Sequence, residues 1–135
     1  MEVKKATPLL AKKVQRKMKL LSRALTELAE SEAVVLVEGK RDKEALERIG
    51  VRNRIVMINM SPDRVCERVS RLADKAVILT DFDEAGEELC CRVEDGLRAY
   101  NVSPDTEMRR KLQRILGLRN FEEIDRKLEE LRKKW

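Results

Sequence analysis

The chain has 135 residues, enough for one domain with a hydrophobic core of its own. Charged residues make up 41% and apolar residues 42%, yet no apolar run nears the roughly 20 residues needed to span a bilayer, and the apolar positions recur too regularly for a disordered chain. Histidine is absent, which removes Ser-His-Asp and Cys-His catalysis and any His-ligated zinc, and the 3% aromatic content argues against aromatic stacking platforms for single-stranded nucleic acid.

The opening MEVKKATPLL has no apolar signal core, so the expected location is cytoplasmic. Thr7-Pro8 reads as a helix start, a hydroxyl cap before a first-turn proline. Leu10, Val14, Met18, Leu21, Leu25 and Leu28 then form one apolar stripe on a helix of about 23 residues. Its other face carries Lys12, Lys13, Arg16, Lys17, Lys19 and Arg23, either a nucleic-acid-facing surface or a merely solvated one. Ala33 to Val37 is a short, β-branched apolar run that predicts a strand buried on both faces. Glu38-Gly39-Lys40-Arg41-Asp42 ends it, with Asp42 as the expected cap of a helix through Ile49 that Gly50 stops. Arg54 to Ile58 predicts a second strand, Ser61-Pro62 a helix with Val65, Val69 and Leu72 inward, and Ala76 to Leu79 a third strand. Asp81-Phe82-Asp83-Glu84-Ala85-Gly86 leads into a helix with Leu89, Val93 and Leu97 inward.

Alternating strands and helices predict a parallel α/β sheet of three to four strands between helices. Asn101 to Pro104 reads as a linker and cap, and no strand pattern follows residue 80. Two amphipathic helices close the chain, one on Met108, Leu112, Ile115 and Leu116, the other on Phe121, Ile124, Leu128 and Leu131. Gly117 separates them, and Asn120 with Glu123 resembles a capping box. Three segments result: a basic amphipathic helix over 1–30, an α/β core over 31–100 and a helical extension over 101–135. Cys66, Cys90 and Cys91 form no C-x-x-C pair and read as small core or boundary residues.

The net charge of +5 is uneven. Residues 1–30 hold eight Lys/Arg against three Asp/Glu, residues 31–100 twelve against fifteen, and residues 101–135 ten against seven. Basic flanks around an acidic centre suit a polyanion held near a metal site; solvated helix faces are the plainer explanation.

In open parallel sheets ligands sit beyond the carboxyl ends of the strands. Glu38 lies there after the first strand, and Asp81 and Asp83 after the third. Residues i and i+2 of an extended segment point the same way, so the two aspartates converge if the strand runs on past Thr80. Carboxylates crowded together repel unless a cation or protons intervene. Oxygen donors without histidine or cysteine favour Mg²⁺, with Mn²⁺ as a substitute. The plain alternative is that Asp83 caps the next helix and Glu38 is solvated.

Val37-Glu38-Gly39-Lys40 after one strand, with Asp81-Phe82-Asp83-Glu84-Ala85-Gly86 after another, resembles the Toprim domain. That domain is shared by type IA and type II topoisomerases, bacterial-type primases, OLD-family nucleases, recombination-repair proteins and small nucleases that mature ribosomal RNA. The resemblance covers about residues 31–100, and the whole chain is similar in layout to small stand-alone Toprim proteins of archaea. It implies that Glu38 is a general acid/base able to bind metal, that Asp81 and Asp83 bind Mg²⁺, and that Gly39 and Gly86 sit at tight turns. Lys40 and Arg41 are candidates for contacting a substrate phosphate. Tyr100 and the short chain do not provide a topoisomerase nucleophile and gate, and no primase zinc module is present. The expected function is Mg²⁺-dependent phosphoryl transfer on RNA or DNA, most simply a nuclease. The alternatives are a non-catalytic nucleic-acid-binding or assembly module that keeps the metal site, and a haloacid-dehalogenase-like phosphatase, whose usual Gly-Thr turn Glu84-Ala85-Gly86 lacks. A homodimer or protein partner through the terminal helices is a further expectation.

Overall fold

A computed structural model describes residues 7–135; the N-terminal MEVKKA, part of the stretch without a signal core, lies outside them. Thr7 Oγ1 accepts the Leu10 N–H at 3.2 Å and opens α1 (Pro8–Ser31). There follow β1 (Val34–Val37), α2 (Lys40–Arg48), β2 (Ile55–Met57), α3 (Pro62–Ser70), β3 (Lys75–Leu79), α4 (Glu84–Ala99), β4 (Ser103–Asp105) and α5 (Glu107–Leu116). A 3₁₀ turn at Phe121–Glu123 leads into α6 (Ile124–Lys133). All four strands are parallel, in the order β2-β1-β3-β4.

The sheet is buried on both faces because consecutive side chains alternate sides. Val35, Val37, Val77 and Leu79 point into a core shared with Leu21 and Leu28 of α1, Leu46 of α2, Leu112 of α5 and Ile124 of α6. Val34, Leu36, Ala76 and Ile78 face Val65 and Val69 of α3 and Val93 and Leu97 of α4. The flanking segments are therefore built into the core that the α/β segment needs. Most of their apolar stripes are spent inside the chain; Leu10, expected on the α1 stripe, is 43% exposed, and Leu72 of the α3 segment is exposed as well.

Three local expectations change. Ser103–Asp105, the first two residues of which fall in the expected linker and cap over 101–104, form β4, fastened by the Ser103 N–H donating to Asp74 O at 2.8 Å. The strand has three residues and contains a proline, which an edge position tolerates, so no alternating pattern announces it. Asp42 is not the N-cap of α2 but its third residue, where Oδ2 accepts the Gly39 N–H at 3.0 Å. Glu123 Oε1 accepts the Arg119 N–H at 2.8 Å rather than that of Asn120, so the expected capping box does not form. Among the described residues no helix is long and apolar enough to cross a membrane. Cys66 and Cys90 are buried and Cys91 is exposed, all three as free thiols.

Candidate functional site

β1 and β3 are neighbours in register, Val37 opposite Leu79, so the turns that follow them emerge side by side. The first turn presents Glu38 and the second Asp81. Glu38 Oε2 accepts the Asp81 N–H at 2.6 Å, which joins two turns 43 residues apart. Both carboxylates line a shallow cleft of about 370 Å³ with Lys40, Arg41, Asp42, Asn120 and Glu122. A second hollow of about 460 Å³ continues from it past Arg41, Asn120 and Glu122.

The cleft is electrostatically uncomfortable. Burial pushes the Asp81 carboxyl up to about 7, and the negative charges of Asp42 and Glu38 add to the effect, against a lowering hydrogen bond from the Phe121 N–H to Oδ1 at 3.1 Å. Burial also raises Asp42, helped by Glu38 and Glu122 and opposed by the Gly39 N–H. At the same cleft Asn120 Oδ1 is buried without a hydrogen-bond partner. An oxygen acceptor left unpaired beside crowded carboxylates favours a cation or donor there.

Asp83 is not brought to this cleft. The sheet ends at Leu79, and the chain bends at Phe82 and Asp83 into α4 instead of extending as a strand, which breaks the i, i+2 alignment. Asp83 is exposed and caps α4, its Oδ1 accepting the Gly86 N–H at 2.7 Å. Among the described residues no three Asp, Glu or Cys side chains gather closely enough to form a metal cage. Glu38, Asp81 and the Asn120 oxygen line one cleft and are the oxygens there that a hard cation could use; Asp83 is not among the residues that line it. Lys40 and Arg41 are exposed at the start of α2 and line the cleft, as a phosphate contact requires; Lys40 Nζ stands 3.8 Å from Glu44.

The two glycines differ. A Cβ on Gly86 would collide with the Asp81 carbonyl, so this position needs glycine. Gly39 has extended backbone at φ −151° and ordinary space for a Cβ, so the strand-to-helix turn there does not demand glycine.

Sequence reasoning missed Arg109. This buried α5 side chain donates from Nε to Thr80 O at 2.7 Å, from Nη2 to Asp81 O, and from Nη2 to Glu87 Oε1 at 2.8 Å. Its guanidinium also lies 4.3 Å from the centre of the Phe82 ring, which packs against Phe121. The Phe82 N–H donates to Arg119 O at 3.0 Å. The extension thus clamps the Asp81 turn from two sides. Arg109 sits on the apolar stripe of its helix between Met108 and Leu112, and a cation on a buried stripe signals a partner elsewhere. Asn120 and Glu122 carry no comparable mark.

No protein-family profile matches the chain. It is 30% identical over 115 residues to the UPF0292 protein of Methanosarcina barkeri, covering 84% of this chain and 79% of that protein. It is 36% identical over 91 residues to the UPF0292 protein of Pyrococcus horikoshii, covering 67% and 69%. Among solved structures, a protein from Aquifex aeolicus is similar at a TM-score of 0.66 and 26% identity, covering 76% of this chain and 96% of that one.

Proposed function

The chain belongs to the UPF0292 family, and from the cleft at the ends of β1 and β3 we propose that it is a Toprim-type protein carrying out Mg²⁺-dependent phosphoryl transfer on nucleic acid, most simply a nuclease. The observation that carries this reading is the meeting of Glu38 and Asp81 across adjacent parallel strands, where burial and neighbouring negative charge raise the Asp81 carboxyl. Magnesium is commonly bound by one or two carboxylates plus substrate phosphates, so two protein carboxylates suffice. Glu38 and Asp81 would hold it, with Asn120 Oδ1 as a third oxygen. When bound, the ion offsets the charge that develops on a phosphoryl oxygen. Lys40 and Arg41 orient the phosphate from the edge of the cleft. In hydrolysis a water oxygen bonds to phosphorus and the ester P–O bond breaks, while Glu38, with Oε1 left open by the Asp81 N–H on Oε2, takes the proton that water loses and passes it to the departing ester oxygen. Arg109 acts at one remove, by fixing the backbone that carries Asp81. The free thiols suit a reducing, cytoplasmic setting.

One observation favours the second reading, a module that binds nucleic acid without turnover: Asp83, the third acid of the resemblance, is spent on a helix cap. Calorimetric titration with Mn²⁺ and cleavage of labelled RNA and DNA with Mg²⁺ separate the two. The nuclease reading expects saturable Mn²⁺ binding and cleavage, both lost in Asp81→Asn and Glu38→Gln. Mn²⁺ binding without cleavage of any substrate selects the module, and absence of Mn²⁺ binding overturns both.

A further inference from the structure

Away from the cleft, α1 and α5 enclose a groove of about 600 Å³. Its floor is apolar: Ala24 and Ile115 are nearly buried, and Leu20 is 40% exposed. Its walls carry Lys13, Arg16, Lys17 and Arg23 from α1 and Lys111 and Arg114 from α5, against the single carboxylate of Glu27. Lys111 Nζ reaches Glu27 Oε2 at 3.0 Å and ties the two helices together. Among the described residues the other five cations have no acidic partner within ion-pair distance.

Each of the other helices mixes acidic residues among its cations. Glu44 serves Lys40 and Arg48 on α2, Glu67 serves Arg71 beside α3, Glu94 serves Arg98 on α4, and Arg126 lies between Glu123 and Glu130 on α6. Between Pro8 and Thr26 α1 has no acidic residue at all. Like charges three and four residues apart repel by a few tenths of a kcal/mol per pair, so an ordinary solvated face gains by mixing signs. The α1 face runs about 15 Å from Lys13 to Arg23 at 1.5 Å per residue, and it keeps its repulsion beside an open apolar floor.

We propose that this groove is the seat of a single-stranded nucleic acid, its phosphates along the cationic walls and its bases over Leu20, Ala24 and Ile115. The proposal rests on the nucleic-acid reading of the carboxylate cleft. A duplex offers a groove of this kind only phosphate and sugar, leaving the floor uncovered; an unstacked strand turns apolar base faces toward it. No aromatic ring lines the groove, so the bases contribute burial without stacking, and binding is dominated by charge and insensitive to sequence. Five phosphate contacts give a slope of log affinity against log salt of about −3.5.

The test uses fluorescence anisotropy with a short labelled RNA, a DNA of the same sequence and the matching duplex, in EDTA across a potassium chloride series. The variant is Arg16→Ala/Lys17→Ala/Arg114→Ala, three exposed helix positions where alanine preserves the fold. The expected result is tighter binding of single strands than of duplex. In the variant, affinity falls at least tenfold and the slope becomes shallower by about 2, at about 0.7 per lost contact. Unchanged affinity in the variant, preference for the duplex, or displacement of the strand by polyglutamate at equal charge overturns the proposal, the last pointing to an acidic protein partner. Cleavage with Mg²⁺ is measured in parallel. A strand held by the groove but never cut overturns the nuclease reading and leaves the groove standing; a strand cut equally by wild type and variant, with equal affinity, does the reverse.

Discussion

The turns after β1 and β3 solve the same problem with different outcomes. Each takes the chain from a buried parallel strand into a helix, and each uses an aspartate to satisfy a backbone N–H, Asp42 for Gly39 and Asp83 for Gly86. In the first turn the acid that follows the strand, Glu38, precedes the helix start, so it is left to reach across to its neighbour. In the second, Asp81 has that position, while Asp83 sits at the cap and is consumed by it. Glu38 and Asp81, ahead of the first helical N–H, thus meet at the cleft, Asp83 caps α4, and Asp42 does both, bonding the Gly39 N–H while lining the cleft. The turns also differ in tightness: the second folds back on itself so closely that Gly86 lies against the Asp81 carbonyl, whereas the first opens without such a contact.

The largest expected effect breaks the comparison at its glycines. Gly86→Ala drives a methyl into the Asp81 carbonyl that Arg109 holds in place, and is expected to lower stability by about 3 kcal/mol, at the upper end for overpacking. Gly39→Ala has room and ordinary backbone and loses at most about 1 kcal/mol, the difference between glycine and alanine at a helix cap. Urea denaturation of the two variants measures this directly, and equal losses would show that the turns do not differ in tightness.

Next is the clamp that only the second turn has. Arg109→Leu keeps the apolar stem but leaves the Thr80 and Asp81 carbonyls without their donor, at a cost of about 2 kcal/mol. Glu87, 57% exposed, is rehydrated and adds little. Mn²⁺ affinity should fall with stability in this variant, because the backbone carrying Asp81 is released. Calorimetry showing full Mn²⁺ affinity in a destabilised variant would confine Arg109 to a structural part.

How much of this was legible in the sequence follows from the range of the interactions. The carboxyl ends of β1 and β3, the helix starts at Thr7-Pro8 and Ser61-Pro62, and the apolar stripes of α5 and α6 are local patterns, and they read correctly; the other strand ends shift by a residue. Glu38 and Asp81 were legible as acids at the carboxyl ends of parallel strands, where ligands sit, although alternation alone does not put β1 beside β3. The fate of Asp83 was not: extension past Thr80 and capping of α4 are both consistent with the same residues, and only the tight return at Gly86 decides between them. β4 was hidden because an edge strand of three residues with a proline has no alternating pattern. Asn120 and Glu122 reach the cleft through tertiary packing of the extension, which no spacing in the sequence encodes.

The smallest effect sharpens the comparison by treating the two aspartates alike. With the Asp81 carboxyl raised to about 7, against an ordinary value of 3.8, the folded, metal-free protein holds this proton more tightly than the unfolded chain does. Between about pH 4 and pH 7 the folded state therefore binds more protons, and stability falls as pH rises through that window. In EDTA the melting temperature should drop by several degrees from about pH 5 to pH 8. Asp81→Asn removes the ionisable group, flattens the profile and leaves the variant above wild type at the alkaline end. A shallow slope persists there from Asp42, which burial shifts in the same direction. Asp83→Asn preserves the cap, since asparagine serves a helix N-terminus as well as aspartate, and it keeps the Asp81 carboxyl, so the fall in stability that Asp81 causes remains. Identical profiles for the two variants would mean that Asp81 is no more enclosed than Asp83. The cleft would then lack the crowding of charge on which its affinity for a cation depends.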